Sequence, residues 1–72
     1  MIRMIEKTID MKETVDGHMV VRGENAPIAY CLVNRIEMQK RFKNIGEVVI
    51  KRHLVGKAII AMQNAGCKVN II

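Results

Sequence analysis

The sequence predicts a small α/β (α+β) domain of order ββαβαβ, in which a sheet of about four strands is covered by two helices. Three observations predict it. The chain has 72 residues, which is the length of one domain. Short β-branched runs bounded by turn residues indicate strands. Two longer stretches carry apolar residues at helical spacing, and helices between strands imply crossover connections over a sheet.

The first 22 residues are expected to form a β-hairpin. The stretch from Ile2 to Thr14 is rich in Ile, Thr and Met, although its alternation is imperfect. Asp16-Gly17 then precedes the β-branched run Met19-Val20-Val21. We expect a two-residue type I′ turn at Asp16-Gly17, because Gly takes positive φ freely and Asp tolerates it.

The first helix is predicted from Ile28 to Phe42. Asn25 is a good N-cap residue, and Pro27 suits the first turn, where its missing N–H is no loss. Gly46 is expected to lie past the helix end. Arg35 projects into the apolar stripe of this helix. We interpret Arg35 as marking the edge of a dimer interface. The stripe itself consists of Ile28, Cys31, Leu32, Ile36 and Phe42.

The rest of the chain indicates strand, helix and strand. The run from Glu47 to Lys51 is apolar between charges, which is typical of a buried central strand. A second helix is predicted from Leu54 to Ala65, and residues 67–72 are expected to form the last strand. The two cysteines are far apart in sequence, and we expect both to be reduced and buried. The predicted face of the second helix consists of Leu54, Ala58, Ala61, Met62 and Ala65.

We therefore interpret residues 1–72 as a single domain, with an N-terminal hairpin (1–22) followed by a basic αβαβ part (27–72). Twelve Lys and Arg against seven Asp and Glu give a net charge of +5. Residues 1–26 contribute −1 and residues 27–72 contribute +6. Such a concentration is what a polyanion-binding face needs, although small soluble domains are often mildly basic in any case.

Membrane insertion and export are not expected. Charged residues are spread from Arg3 to Lys12, which leaves no core for a signal peptide. The uninterrupted apolar runs are too short for a transmembrane helix. We expect a cytoplasmic protein, and association with a nucleoid is compatible with that location.

The strongest candidate site is Lys51-Arg52-His53 just before the second helix, with Lys57 in the first turns of that helix. A helix N-terminus presents free N–H groups and the positive end of its dipole, so it favours phosphate. A second basic group, along the first helix and its exit, consists of Arg35, Lys40, Arg41 and Lys43, of which Arg41 and Lys43 are expected only to keep the helix soluble and stabilise its end. The alternative is that these residues are simply solvated charges.

Catalytic and metal-binding patterns are scarce. His18 and His53 have no fixed relation to a Cys or Ser in the sequence. Structural zinc sites use closely spaced ligand pairs, which this sequence lacks. We predict no catalytic residue, no metal site and no cofactor, and we expect that the protein is not an enzyme.

Several of these segments resemble the Alba superfamily, which comprises small dimeric archaeal chromatin proteins and eukaryotic RNA-binding proteins. The resemblance covers about residues 18–72. It implies a homodimer with a basic face that binds duplex nucleic acid mainly through phosphates. The similar segments are Met19-Val20-Val21, Pro27 with Tyr30, Glu47-Val48-Val49-Ile50-Lys51, Lys57-Ala58-Ile59 and Asn64-Ala65-Gly66-Cys67-Lys68-Val69.

Three functions are compatible with these observations. The first is a nucleic-acid-binding homodimer that contacts DNA or RNA phosphates through the basic loop and helix N-terminus. The second is a protein-interaction or oligomerisation module, whose surface would use the methionines. The third is a thiol-dependent sulfur carrier or small enzyme using Cys31 or Cys67. A reactive thiolate needs an exposed site with a low pKa, whereas both cysteines fall on predicted core faces.

Overall fold

The predicted fold class is confirmed. A computed structural model describes residues 7–72; Met4 and the beginning of the Ile2–Thr14 stretch lie outside the described residues. Two 3₁₀ turns, Lys40–Asn44 and Arg52–Leu54, connect the main elements. The strands and helices follow the predicted ββαβαβ order: β1 Thr8–Glu13, β2 Met19–Arg22, α1 Ala26–Asn34, β3 Glu47–Ile50, α2 Val55–Asn64 and β4 Lys68–Ile71.

The four strands form one mixed sheet in the order β3-β2-β1-β4. β2 pairs antiparallel with both β1 and β3, while β4 pairs parallel with β1. β3 and β4 therefore run in the same direction at opposite edges of the sheet. α2 carries the chain across the whole width of the sheet between them.

The core lies between the helices and one face of the sheet. Strand alternation directs Ile9 and Met11 of β1 into it, and α2 contributes Met62; none of the three is accessible to solvent. Burying such a side chain contributes roughly 1.5–3 kcal/mol. The same alternation leaves the opposite face open, and this open face carries Asp10, Lys12, Arg22, Glu47 and Val49.

β3 is an edge strand, so its prediction as a buried central strand was wrong. Val48 and Ile50 are buried beneath the helices, but Val49 lies on the open face and is 52% exposed. Among residues 7–72, only one face of the sheet is covered. An apolar run fits such an edge as well as it fits a strand covered on both faces, so the run alone could not assign the position.

The hairpin turn also differs from the predicted type I′ turn. Gly17 has φ of 84°, but Asp16 keeps a negative φ, whereas type I′ needs positive φ at both positions. The Gly17 N–H donates to the Thr14 carbonyl at 3.0 Å, and the Thr14 N–H donates to the His18 carbonyl at 2.8 Å. These bonds close a three-residue loop that ends in a left-handed glycine, another common hairpin connection.

α1 ends at Asn34, so the predicted helix to Phe42 was wrong in its second half. Arg35 adopts a left-handed conformation (φ 55°, ψ 45°), and the Ile36 N–H donates back to the Cys31 carbonyl at 3.0 Å. This is a Schellman end. The Asn34 side-chain amide donates to the Tyr30 carbonyl at 2.8 Å, a local bond of the kind that competes with helix continuation.

The corrected helix end changes the interpretation of Arg35. Its side chain is exposed just past α1, and it does not lie in a helical apolar stripe. The position of Arg35 therefore does not indicate the edge of a dimer interface. Phe42 reaches the interior separately, as the buried residue of the Lys40–Asn44 turn, with its ring centroid 5.3 Å from that of Tyr30.

Asn25 occupies the N-cap position of α1 but does not cap it through its side chain. Its Nδ2 donates to the Thr8 carbonyl at 2.9 Å, and its buried Oδ1 has no partner among the described residues. The side chain therefore ties the start of α1 to β1. Pro27 lies in the first turn, as predicted.

α2 closely matches its prediction. Ala58 and Met62 of the expected face are buried, although Leu54, just before the helix, is 39% exposed. Gly66 (φ 92°) and Cys67 complete a Schellman end, because the Cys67 N–H donates to the Met62 carbonyl at 3.0 Å. Within residues 7–72, neither helix has both the length and the apolar character needed to cross a bilayer.

Candidate nucleic-acid interface

The basic turn, Lys51-Arg52-His53, lies at the end of the sheet where β3 leads into α2. Lys51 continues the extended strand (φ −63°, ψ 144°), and the 3₁₀ turn Arg52–Leu54 then runs directly into the helix. All three basic residues are exposed. The turn therefore presents a continuous cationic surface beside the first residues of α2.

The β1–β2 hairpin holds the basic turn in place. The Arg52 backbone N–H donates to Nδ1 of His18 at 2.9 Å. His18 is fixed in turn by Thr14, whose Oγ1 accepts from the His18 N–H at 3.1 Å. Because Nδ1 accepts a hydrogen bond, a neutral His18 ring carries its proton on Nε2.

Gly17 brings the Arg52 side chain close to the hairpin. A Cβ atom placed on Gly17 would lie only 2.9 Å from the Arg52 Cδ, so the stem of the arginine crosses the space that a side chain would fill. Sequence reasoning missed the contribution of Gly17 and His18 to the site. Arg52 and His18 are 34 positions apart, and no local pattern indicates such a contact.

A second cationic feature, the basic groove, lies between the end of α1 and the start of α2. It has a volume of about 280 Å³. Arg35 reaches it from the left-handed turn after α1, and Lys57 reaches it from α2. The two charges are therefore brought together from separate helices. The full lining is Val33, Arg35, Leu54, Lys57, Ala58 and Ala61.

A larger, mostly apolar groove of about 440 Å³ adjoins the basic groove, and Val33 and Leu54 line both. This apolar groove follows the outer edge of β3. Lys51, directly after the strand, belongs to its lining. Its lining is Tyr30, Val33, Asn34, Ile45, Glu47, Val48, Val49, Ile50, Lys51 and Leu54.

Of the six predicted binding residues, Arg35 and Lys57 line the basic groove, Lys51 lines the apolar groove, and Arg52 and His53 are exposed in the basic turn. Lys40 belongs to the 3₁₀ turn anchored by Phe42 and lines neither groove. Its neighbour Arg41 lies over the Phe42 ring, 4.9 Å from the centroid. Of the predicted second basic group, Arg35 lines the basic groove and Lys40 does not.

The backbone at the start of α2 offers fewer free donors than expected. The Arg52 N–H is taken by His18, the Leu54 N–H donates to the Lys51 carbonyl at 2.8 Å, and the Val55 N–H donates to the Arg52 carbonyl. An anion would thus be held mainly by side-chain charge and less by helix N–H groups than predicted.

Acidic groups interfere little with this region. No Asp or Glu follows Glu47 in the sequence. Glu47 itself forms an ion pair with Arg22, with Nε and Oε2 2.9 Å apart, on the open face of the sheet. Asp16 precedes Gly17, and Glu37 follows Arg35 by two residues, but neither forms an ion pair with the basic turn or basic groove among residues 7–72.

Both cysteines are free and buried, as predicted. Burial raises the pKa of the Cys31 thiol. Burial also raises the pKa of the Cys67 thiol, and the charge of Lys7 offsets this in part. Neither site has the exposure and low pKa of a reactive thiolate. Among residues 7–72, no three Cys, His, Asp or Glu side chains gather where they could hold a metal ion.

Comparison of the chain with protein-family models, with curated proteins and with solved structures gave no match. Function is therefore inferred from the geometry and charge of the site itself.

Proposed function

We propose that this protein binds the phosphate backbone of a nucleic acid through its basic turn and basic groove. One observation carries the proposal: Arg35, from the turn after α1, and Lys57, from α2, line one groove beside the exposed basic turn. Cations gathered on one face, none of them in an ion pair among residues 7–72, suit a polyanion. The aromatic residues Tyr30 and Phe42 pack against each other, so stacking of unpaired bases is not part of the proposal.

The test is fluorescence anisotropy of labelled duplex DNA, duplex RNA and single strands at two salt concentrations. Phosphate contacts release counterions, so the affinity should fall steeply as salt is raised. Arg52→Ala and Lys57→Ala should each weaken binding to all sequences and lower the salt slope by about one. Lys12→Ala, on the open face of the sheet, is the matched control and should leave binding unchanged.

The outcomes separate this proposal from its main alternative. Absence of binding at low salt would contradict nucleic-acid recognition. If Lys12→Ala weakens binding as much as Arg52→Ala does, the attraction follows net charge alone. The basic turn and basic groove would then not be the binding site.

A protein-interaction role is the second candidate, and the apolar groove favours it. Leu54 and Val49 line that groove and are 39% and 52% exposed. Apolar association would not weaken steeply with salt, in contrast to phosphate binding. The same two salt concentrations therefore distinguish the two functions.

A further inference from the structure

We propose that β3 is a self-association edge: two copies of the chain pair their β3 strands antiparallel about a twofold axis at Val49. The proposal does not depend on nucleic-acid binding. It follows from three features of β3, namely an open edge, a self-complementary sequence and an apolar groove beside the edge.

The outer edge of β3 has its backbone groups directed away from the sheet. The Gly23 N–H donates to the Gly46 carbonyl at 3.0 Å, one residue beyond the Arg22–Glu47 pair of the β2–β3 register. Hydrogen-bonded and non-bonded pairs alternate along an antiparallel ladder. Val48 and Ile50 therefore direct their N–H and C=O groups to β2.

It follows that the backbone groups of Glu47, Val49 and Lys51 face outward. Among residues 7–72, no strand pairs with this side of β3. An open edge of this kind is a template for another strand. Antiparallel pairing centred on Val49 uses the outward groups directly, because Val49 would face Val49 of the second copy as a hydrogen-bonded pair.

The sequence of β3 complements itself about the same residue. With Val49 on the axis, Glu47 lies opposite Lys51 of the second copy, and Val48 lies opposite Ile50 of the second copy. Opposite charges thus meet at both ends of the pairing, which stabilises it. The nearest registers that still pair the outward groups are shifted by two residues, and they place Glu47 opposite Val49 or His53 of the second copy. The register centred on Val49 is therefore the one specified by charge.

On the open face, Glu47 is the residue that would pair with Lys51 of the second copy. Glu47 is already held by Arg22 at 2.9 Å, on the face that also carries Val49. In the pair, Glu47 would lie between two cations. On the other side of the edge, the apolar groove occupies the space beside β3, where Tyr30, Val33 and Leu54 would meet the second copy.

Val49→Lys is the decisive variant, measured by sedimentation velocity. The Val49 side chain is 52% exposed and its backbone groups do not bond to β2, so the fold should be kept, as circular dichroism would verify. Two lysines would then face each other on the axis, and the dissociation constant should rise by about tenfold or more. Ile72→Lys is the matched control, because Ile72 is 67% exposed beyond β4, at the opposite edge.

The wild type and Ile72→Lys should sediment as dimers of twice the chain mass of 8.2 kDa. Val49→Lys should shift towards the monomer. Cross-linking tests the register: Val49→Cys should form a disulfide dimer on oxidation, since Cα atoms of a bonded antiparallel pair lie about 5.5 Å apart. A monomeric wild type would overturn the proposal. A dimer that Val49→Lys leaves intact, or that Ile72→Cys links while Val49→Cys does not, would overturn it equally.

Discussion

Replacing Arg35 with glycine should stabilise the protein while weakening its binding to polyanions. Arg35 ends α1 at φ 55° and is the one non-glycine residue with positive φ in the part of the chain that the structure describes. Its described hydrogen bond uses the backbone N–H, which donates to the Leu32 carbonyl at 3.4 Å, and glycine keeps that donor. The side chain is exposed, so its removal creates no buried cavity.

The size of the gain follows from two opposing terms. A left-handed conformation costs a non-glycine residue roughly 1–2 kcal/mol. Glycine loses more conformational freedom on folding, which costs roughly 0.5–1 kcal/mol relative to alanine. We therefore expect the free energy of unfolding to rise by about 0.5–1 kcal/mol. For a domain of this size, that corresponds to an increase in Tm of about 2–8 °C.

Thermal and urea denaturation followed by circular dichroism measure this change, and Arg35→Ala is the control. Alanine removes the same charge from the basic groove but keeps a Cβ in the left-handed conformation. Both variants should lose polyanion affinity equally, while only the glycine variant gains stability. Equal stability of the two variants, or a loss with glycine, would refute the assignment of backbone strain to this position.

Three further predictions concern the turns, the core and the thiols. Gly17→Ala and Gly23→Ala should each cost roughly 1–2 kcal/mol in urea denaturation, because both glycines have positive φ. The new Cβ at Gly17 would lie 2.9 Å from Cδ of the exposed Arg52 side chain, which can move aside, so a loss below about 0.5 kcal/mol at either glycine would argue against the left-handed conformation. Met62→Ala should cost roughly 2–5 kcal/mol, because its side chain is fully buried, and a loss below about 1 kcal/mol would contradict the described core. Burial raises the pKa of the Cys31 and Cys67 thiols in the folded protein, whereas the same thiols ionise near pH 9.0 in the unfolded chain. The folded state therefore keeps more protons above this pH, and the free energy of unfolding should fall as pH rises above about 9. Iodoacetamide should accordingly react with these thiols only after denaturant is added, and rapid reaction of the native protein would contradict their burial.

The order of elements could be predicted because its signals are local. Each strand or helix is marked by a short apolar pattern and by turn residues on either side of it. The position of β3 at an edge could not be predicted, since Val48-Val49-Ile50 suits either an edge or the centre. The length of α1 failed for a related reason: Ile36 and Phe42 fit helical spacing, but the local bonds around Asn34 end the helix first.

The candidate site was predictable only where its residues are neighbours in sequence. Lys51, Arg52, His53 and Lys57 follow one another at the start of α2, and the structure keeps them together. Arg35 was selected from a helical position that it does not occupy; the left-handed turn brings it to the basic groove by a different route. Dimerisation, the Alba resemblance and a cytoplasmic location stay predictions.

The pairing of β1 with β4 has a consequence for how the chain folds during synthesis. Thr8 lies opposite Lys68 and Met11 opposite Ile71, so the two strands come from opposite ends of the described chain. The hairpin, α1 and β3 can associate as soon as they leave the ribosome. In the complete sheet β1 lies between β2 and β4, so one of its edges has no partner strand until residues 68–71 have been synthesised. Pairing of β1 with β4 is therefore the last strand pairing that can form during synthesis, and until then β1 is an open edge on which nascent chains could join each other.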